Sequence, residues 1–119
     1  MTQNIAMQNT TVRDIVRKLN LEISNDAGLE REITGGYASD LLSCVLAGAQ
    51  AGNIWVTLQA HVNVIAVASL LGLSAVIITE GVCPDRDTLD KAREVGVTVL
   101  TSGQNTFAVV GQLAALGVR

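Results

Sequence analysis

Ile33-Thr34-Gly35-Gly36-Tyr37-Ala38-Ser39-Asp40 is the stretch on which the reading of this chain turns. An extended run here gives way abruptly to a helix, and everything downstream is expected to lie against that change. Paired glycines tolerate positive φ and let a second backbone or a ligand come close, while Ser39 or Asp40 can accept from the free N–H groups of a helix start. The turn is a candidate site as well as a hinge of the fold.

Downstream of it, a helix is expected from about Ser39 to Gln50, with Leu42, Val45, Leu46 and Ala49 on one face and Gly48 and Gly52 marking close packing and the helix end. The pattern then becomes regular. Ile54 to Leu58 reads as extended, Val62 to Leu71 as helical, Ser74 to Thr79 as extended, Pro84 to Val95 as helical, Val97 to Thr101 as extended and Thr106 to Leu116 as helical. Strands that alternate with helices across short connections imply right-handed βαβ crossovers and a parallel sheet. Gly72, Gly96 and Gly117 each follow a helix, where a left-handed C-cap is wanted. Pro84 suits a first helical turn, Asp85 and Asp87 complement the positive end of the helix dipole, and Asp87 with Lys91 forms an i, i+4 pair.

Upstream, Thr11 and Asp14 read as a capping box, and Val12, Ile15, Val16 and Leu19 fall at helical spacing. Arg13, Arg17 and Lys18 occupy the other, solvated face. Leu21 to Ser24 is a strand, Asn25-Asp26-Ala27-Gly28 a turn, and Glu30 to Thr34 a second extended run whose mixed charges suit an edge or a lid. The expected fold is α/β, a single-domain three-layer sandwich with a mostly parallel central sheet built from βα units. Residues 11–119 form this domain, and 1–10 are expected to be a flexible N-terminus with neither signal-peptide nor anchor character.

One core is all that 119 residues allow. Apolar residues make up 49% of the chain and aromatics 3%, so the core is built from Val, Leu, Ile and Ala, and the mean hydropathy of +0.39 leaves apolar surface to be hidden in a partner. A homodimer is expected. The net charge of −3 supplies no basic stripe for nucleic acid. No membrane span is expected either, and the chain reads as cytoplasmic. Cys44 and Cys83 lack metal-ligand spacing and read as reduced thiols, Cys44 buried and Cys83 in a loop, with a redox pair as the alternative.

The Val62 to Leu71 helix has almost no polar face. A helix apolar all round must be covered on every side, by a second subunit or by deep burial inside the monomer. Its length is too short to span a bilayer.

In parallel sheets, ligands collect where strands end and helices begin. Thr57, Gln59, His61 and Asn63 follow one strand, Thr79 and Glu80 the next, and Thr101, Ser102 and Gln104 the last, so three clusters share one edge. Thr34, Gly35, Gly36, Ser39, Asp40, Gln59, His61 and Asn63 are the candidate ligand-binding residues, and a small anion is the ligand class considered. Helix caps and turns account for the same residue types without any ligand. His61 is the only histidine and reads as a neutral, hydrogen-bonded ring rather than a metal ligand. The sequence contains no GxxxxGK[ST], GxGxxG or GxSxG motif, so no catalytic residue and no cofactor is assigned.

Thr34-Gly35-Gly36 followed by Tyr37-Ala38-Ser39-Asp40-Leu41-Leu42, then Trp55 to Asn63, Pro84-Asp85 and the Leu116-Gly117 end, resembles the DRTGG domain family over about Leu19 to Gly117. Glu32 and Ile33 stand where that family's name-giving motif has Asp and Arg, so an anion anchored through that arginine is not implied here. The resemblance implies a dimerising α/β module without an established activity. Its members occur within CBS-domain pyrophosphatases, at the start of some phosphotransacetylases and as free-standing proteins, and it is similar to the amino-terminal domain of HPr kinase/phosphorylase. The kinase's P-loop is absent from this chain. A regulatory or protein-interaction module is therefore expected, with a metabolic enzyme as partner class; a nucleotide or phosphometabolite sensor is the alternative, and an enzyme acting through His61 or Asp40 comes last.

Overall fold

In the computed structural model, residues 10–119 are described; the expected flexible N-terminus therefore lies outside the described residues except for Thr10, whose carbonyl accepts from Ile33 N at 2.9 Å. Ten elements follow in the order α1 (Val12–Leu19), β1 (Glu22–Asn25), β2 (Gly35–Ala38), α2 (Leu42–Gly48), β3 (Asn53–Thr57), α3 (Val62–Leu71), β4 (Ala75–Ile78), α4 (Arg86–Val95), β5 (Val99–Thr101) and α5 (Thr106–Ala115). The sheet runs β1-β5-β4-β3-β2. Pairs β2–β3, β3–β4 and β4–β5 are parallel, in register Tyr37↔Trp55, Trp55↔Val76 and Val76↔Val99, and only β1 lies antiparallel, against β5.

Strands β2 to β5 step across the sheet in one direction, so right-handed crossovers carry α2, α3 and α4 onto one face. That leaves the opposite face to the helices at the two ends of the chain. The core divides accordingly. Val12, Ile15, Leu19, Val109 and Leu113 of α1 and α5 meet Ile54, Val56, Ala75, Ile77 and Leu100 on one side. Val45, Val64, Ile65, Val67, Ala68 and Ala92 of α2 to α4 meet Trp55, Val76, Ile78 and Val99 on the other. Every residue of β3 and β4 is buried, which is why these strands read as continuous apolar runs instead of alternating ones.

Several local expectations hold atom by atom. Thr11 Oγ1 accepts from Asp14 N at 3.3 Å and Asp14 Oδ2 from Thr11 N at 2.9 Å, a complete capping box. Gly72 and Gly96 are left-handed C-caps at φ 68° and 77°.

Others are corrected. The run Glu30–Thr34 contributes a single bridge, Thr11 with Glu32, because buried Leu29 and Ile33 anchor it to the core and Arg31 reaches the Leu73 and Gly72 carbonyls at 2.9 and 3.1 Å. Gly35 and Gly36 are the first half of strand β2 and not a positive-φ turn. α2 begins only at Leu42, and neither Ser39 nor Asp40 caps it. α4 starts at Arg86 because the Asp85 carboxylate takes Thr88 N at 3.0 Å, which leaves Pro84 ahead of the cap. Lys91 lies 3.7 Å from Glu94 instead of pairing with Asp87, an exposed contact of little weight. Cys44 is exposed, since α2 turns Val45 and Ala49 inward; Leu46 is exposed as well.

The lateral sides of α3 are covered by α2 and α4 within the monomer, so burial accounts for most of its apolar surface. Leu70, 76% exposed, is the large apolar side chain it leaves bare.

The glycine pair is explained by what lies against it. A Cβ on Gly35 would stand 2.5 Å from the Arg119 carbonyl oxygen, and one on Gly36 would stand 3.2 Å from a Val118 methyl. Gly36 N donates to that same Arg119 oxygen at 2.9 Å. The segment after α5 thus closes over the amino end of β2 at backbone distance. Gly35→Ala is expected to destabilise the fold by about 1–3 kcal/mol, the cost of overpacking. Gly103→Ala, where a Cβ meets nothing within 4 Å, should stay within about 0.5 kcal/mol of the parent. Urea denaturation of both variants checks the contrast.

Candidate functional site

The carboxyl ends of β3, β4 and β5 do share one rim with the end of β2. Trp55, fully buried, donates its indole N–H to the Ser39 carbonyl at 2.9 Å and fixes the chain as it leaves β2. Ser39 Oγ accepts from Leu41 N at 3.1 Å. Asp40 then folds back over the end of β3, where its Oδ1 accepts from the buried Thr57 hydroxyl at 2.8 Å and from Leu58 N at 2.9 Å. Thr57 Oγ1 in turn accepts from Gln59 N at 3.1 Å, and the Gln59 amide donates to the Asp40 carbonyl. Asp40, Thr57 and Gln59 form one network joining the two strand ends, with Ser39 held beside it by Trp55.

His61 and Asn63 stand at the start of α3. His61 is the N-cap, its Nδ1 accepting from Asn63 N at 3.1 Å, so Nδ1 carries a lone pair and Nε2 is the nitrogen left for other contacts. Thr88 Oγ1 donates to the Ala60 carbonyl at 2.9 Å, tying this loop to α4. Further along, Glu80 adopts a left-handed φ of 65° and its Oε2 accepts from Thr106 N at 2.9 Å, while Asn105 accepts from Ala108 N at 2.8 Å. The starts of α3, α4 and α5 are therefore all capped by the domain's own side chains. Along the rim these groups include the carboxylates of Asp40, Glu80 and Asp85.

Thr34, Gly35 and Gly36 do not join this group. They lie at the amino end of β2, a strand length of roughly 13 Å away. Thr34 Oγ1 donates to Ala51 O at 2.8 Å and accepts from the Asn53 amide at 3.1 Å, which locks the turn before β3. Gly52, at φ 83°, has no room for a Cβ, which would stand 2.6 Å from the Thr34 methyl. The eight candidate residues thus fall into two places, one a polar network and the other a packing joint.

Two cavities border the sheet. One of about 300 Å³ lies at the end of β5 and is lined by Asn20, Glu22, Gly81, Cys83, Thr101 and Ser102. Another, of about 250 Å³, lies between β2 and α5 and is mostly apolar, with Gly36, Ala38, Val56, Val110 and Val118 among its walls. The first lies at the strand-end edge that the sequence marks as a place for ligands, with Thr101 and Ser102 of that edge in its wall; the second includes Gly36 but was not expected, since it draws on segments far apart in the chain. Among the described residues, no group of three or more His, Cys, Asp or Glu is placed to hold a metal ion.

A family model, the DRTGG domain, matches residues 33–116. The chain belongs to the DRTGG domain family. The name-giving motif is represented here by the Thr-Gly-Gly that forms the packing joint just described. Comparison with curated protein sequences gives no match. Among solved structures, the chain is similar to that of the CBS and DRTGG domains of the regulatory region of Clostridium perfringens pyrophosphatase, complexed with its activator diadenosine tetraphosphate. The TM-score is 0.78 at 18% identity, over 98% of this chain and 51% of that one. This chain spans about half the length of that neighbour, and the likeness is one of fold. Among the described residues, no helix is long and apolar enough to cross a membrane.

Removing the Asp40 carboxylate leaves the buried Thr57 hydroxyl and the Leu58 amide without their acceptor, at a cost of about 1–3 kcal/mol. Asp40→Ala should show that loss in thermal melts, whereas Asp40→Asn keeps an accepting oxygen and should lose much less. For Asp85, the Thr88 amide is the main cause that holds the carboxyl below its ordinary 3.8. Its contribution is therefore complete above that value and disappears as pH falls through the lower, folded-state pKa. Asp85→Asn, which caps without titrating, should flatten the stability profile below about pH 4 and leave it unchanged at pH 7.

Proposed function

We propose that this chain is a non-catalytic regulatory module that acts through protein contact, works as a homodimer and presents its surface to a metabolic enzyme. The observation that carries this reading is a contrast between two kinds of surface. At the carboxyl rim, where an enzyme of this architecture keeps its chemistry, the polar side chains are engaged in capping and joining the domain's own strands and helices. Elsewhere large apolar side chains stand bare, Phe107 at 88% and Leu70 at 76% exposure. Kinship with a domain found in the regulatory region of a pyrophosphatase supports the regulatory half of the proposal. Two exposed, unpaired cysteines suit a reducing compartment, and a cytoplasmic location goes with the proposal.

Small-ligand sensing is the second reading, favoured by the nucleotide activator in the neighbouring structure and by the 300 Å³ cavity beside β5. Ser39, Asp40, Gln59, His61 and Asn63 are its candidate contacts at the rim. Thr34, Gly35 and Gly36 would serve only a separate site at the other end of β2. The carboxylates of Asp85 and Glu80 weigh against an anionic ligand at the starts of α4 and α5, because phosphate groups would have to displace them there.

Size-exclusion chromatography with light scattering should give twice the monomer mass of 12.4 kDa, and a chain that stays at the monomer mass into the millimolar range removes the dimer. For the ligand reading, a nucleotide at a hundred times its Kd should stabilise the domain by about 2.7 kcal/mol. Unmoved melting curves across nucleotides and phosphometabolites at millimolar concentration would dismiss it.

A further inference from the structure

The outward face of α5 carries Phe107, Val110, Gly111 and Ala114, at i, i+3, i+4 and i+7, all exposed, while Val109 and Leu113 are turned inward and buried. None of the ten residues of α5 is charged. Gly111 is the informative member. Glycine inside a helix costs about 1 kcal/mol relative to alanine, yet a Cβ at Gly111 would meet nothing within 4 Å. Among the described residues, nothing packs against it. Along the same face opens the apolar 250 Å³ groove, bounded by Gly36, Ala38 and Val118 from one side and Val110 and Ala114 from the other. An apolar cavity of about 150 Å³ already holds benzene, so the groove admits a phenyl ring.

We propose that this face is where two copies of the chain meet, α5 packed antiparallel on α5, with Phe107 of each protomer seated in the groove between α5 and β2 of the other. The proposal rests on the homodimer reading and specifies its surface. A two-fold interface needs a knob and a hole on one face, symmetrically placed about the axis. Antiparallel pairing centred between Val110 and Gly111 sets Phe107 opposite the partner's Ala114, on the wall of the groove, and puts the bare glycine at the crossing, where the axes approach most closely. Charge agrees with this direction. Glu80 sits at the N-terminal end of α5, bonded to Thr106 N, and Arg119 lines the groove at the C-terminal end. Antiparallel packing brings Glu80 of each copy to the partner's Arg119 and opposes the helix dipoles, whereas parallel packing sets like charges together. A ten-residue helix is only about 15 Å long, so the contact falls below the standard 800 Å² or so per partner and belongs with the weaker, transient interfaces.

Sedimentation analysis of the full chain from about 1 µM to about 1 mM tests this. The parent should associate reversibly. Phe107→Glu should weaken association by about tenfold or more, and Leu70→Glu, on the opposite face of the sheet, should leave it unchanged. Gly111→Ala should raise the melting temperature of the monomer while weakening the dimer, a combination that damage to the fold cannot produce. With Cys44 and Cys83 replaced by serine, Gly111→Cys should form an intermolecular disulfide on oxidation. A parent that is monomeric throughout sinks the homodimer reading and this proposal together. A dimer lost with Leu70→Glu but kept with Phe107→Glu preserves the reading and overturns this surface. Dissociation by Phe107→Glu without any Gly111→Cys cross-link overturns the antiparallel geometry.

Discussion

Parallel strands that follow one another across a sheet in a single direction leave their crossover helices no choice of side. In this domain β2, β3, β4 and β5 are such a series, and α2, α3 and α4 are committed to one face by the handedness of the connections. The other face is as apolar as the first, because each strand sends alternate side chains to both. It must be closed by chain that does not belong to the series. α1 and α5 do this, brought from the two ends of the sequence, and two helices cover less sheet than three. The groove at β2 is a direct result of that shortage.

The same constraint explains why the Thr-Gly-Gly motif is a joint. β2 begins the parallel series at a sheet edge, and the segment that follows α5 has to be fastened somewhere on the sheet's thinly covered face. Glycines at 35 and 36 let the Arg119 carbonyl come within hydrogen-bonding distance of the strand, and Thr34 braces the turn at Gly52 that feeds β3. Close approach of another backbone is one of the two uses of paired glycine. Here the approaching backbone is the domain's own.

At the opposite end of the sheet, geometry that elsewhere builds ligand sites has been turned inward. Asp40 bridges two strand ends, and His61, Asp85, Glu80 and Asn105 satisfy amides at helix starts. A rim of this kind ties strand ends and helix starts together and stiffens the scaffold. Large apolar side chains stand bare on the outer sides of helices, Leu70 on α3 and Phe107 on α5 among them.

The sequence by itself determined the element order, the parallel series after Gly52, the capping box at Thr11 and the glycine C-caps, because each depends on neighbours a few residues away. It also carried the three-layer architecture, since strands that alternate with helices across short connections, in a chain too short for a closed barrel, lay helices against an open parallel sheet. What it could not decide were contacts made across the fold. That Gly35 and Gly36 lie in a strand beneath Arg119, that Asp40 serves Thr57 instead of capping α2, and that α3 is covered on both flanks while α5 bares Phe107 all depend on which segments the sheet brings together. A glycine looks the same in sequence whether it frees a turn or admits a distant carbonyl, and an apolar helix looks the same whether its neighbours cover it or leave it open. Only the packing of remote segments removes that ambiguity, because burial is a property of the folded whole.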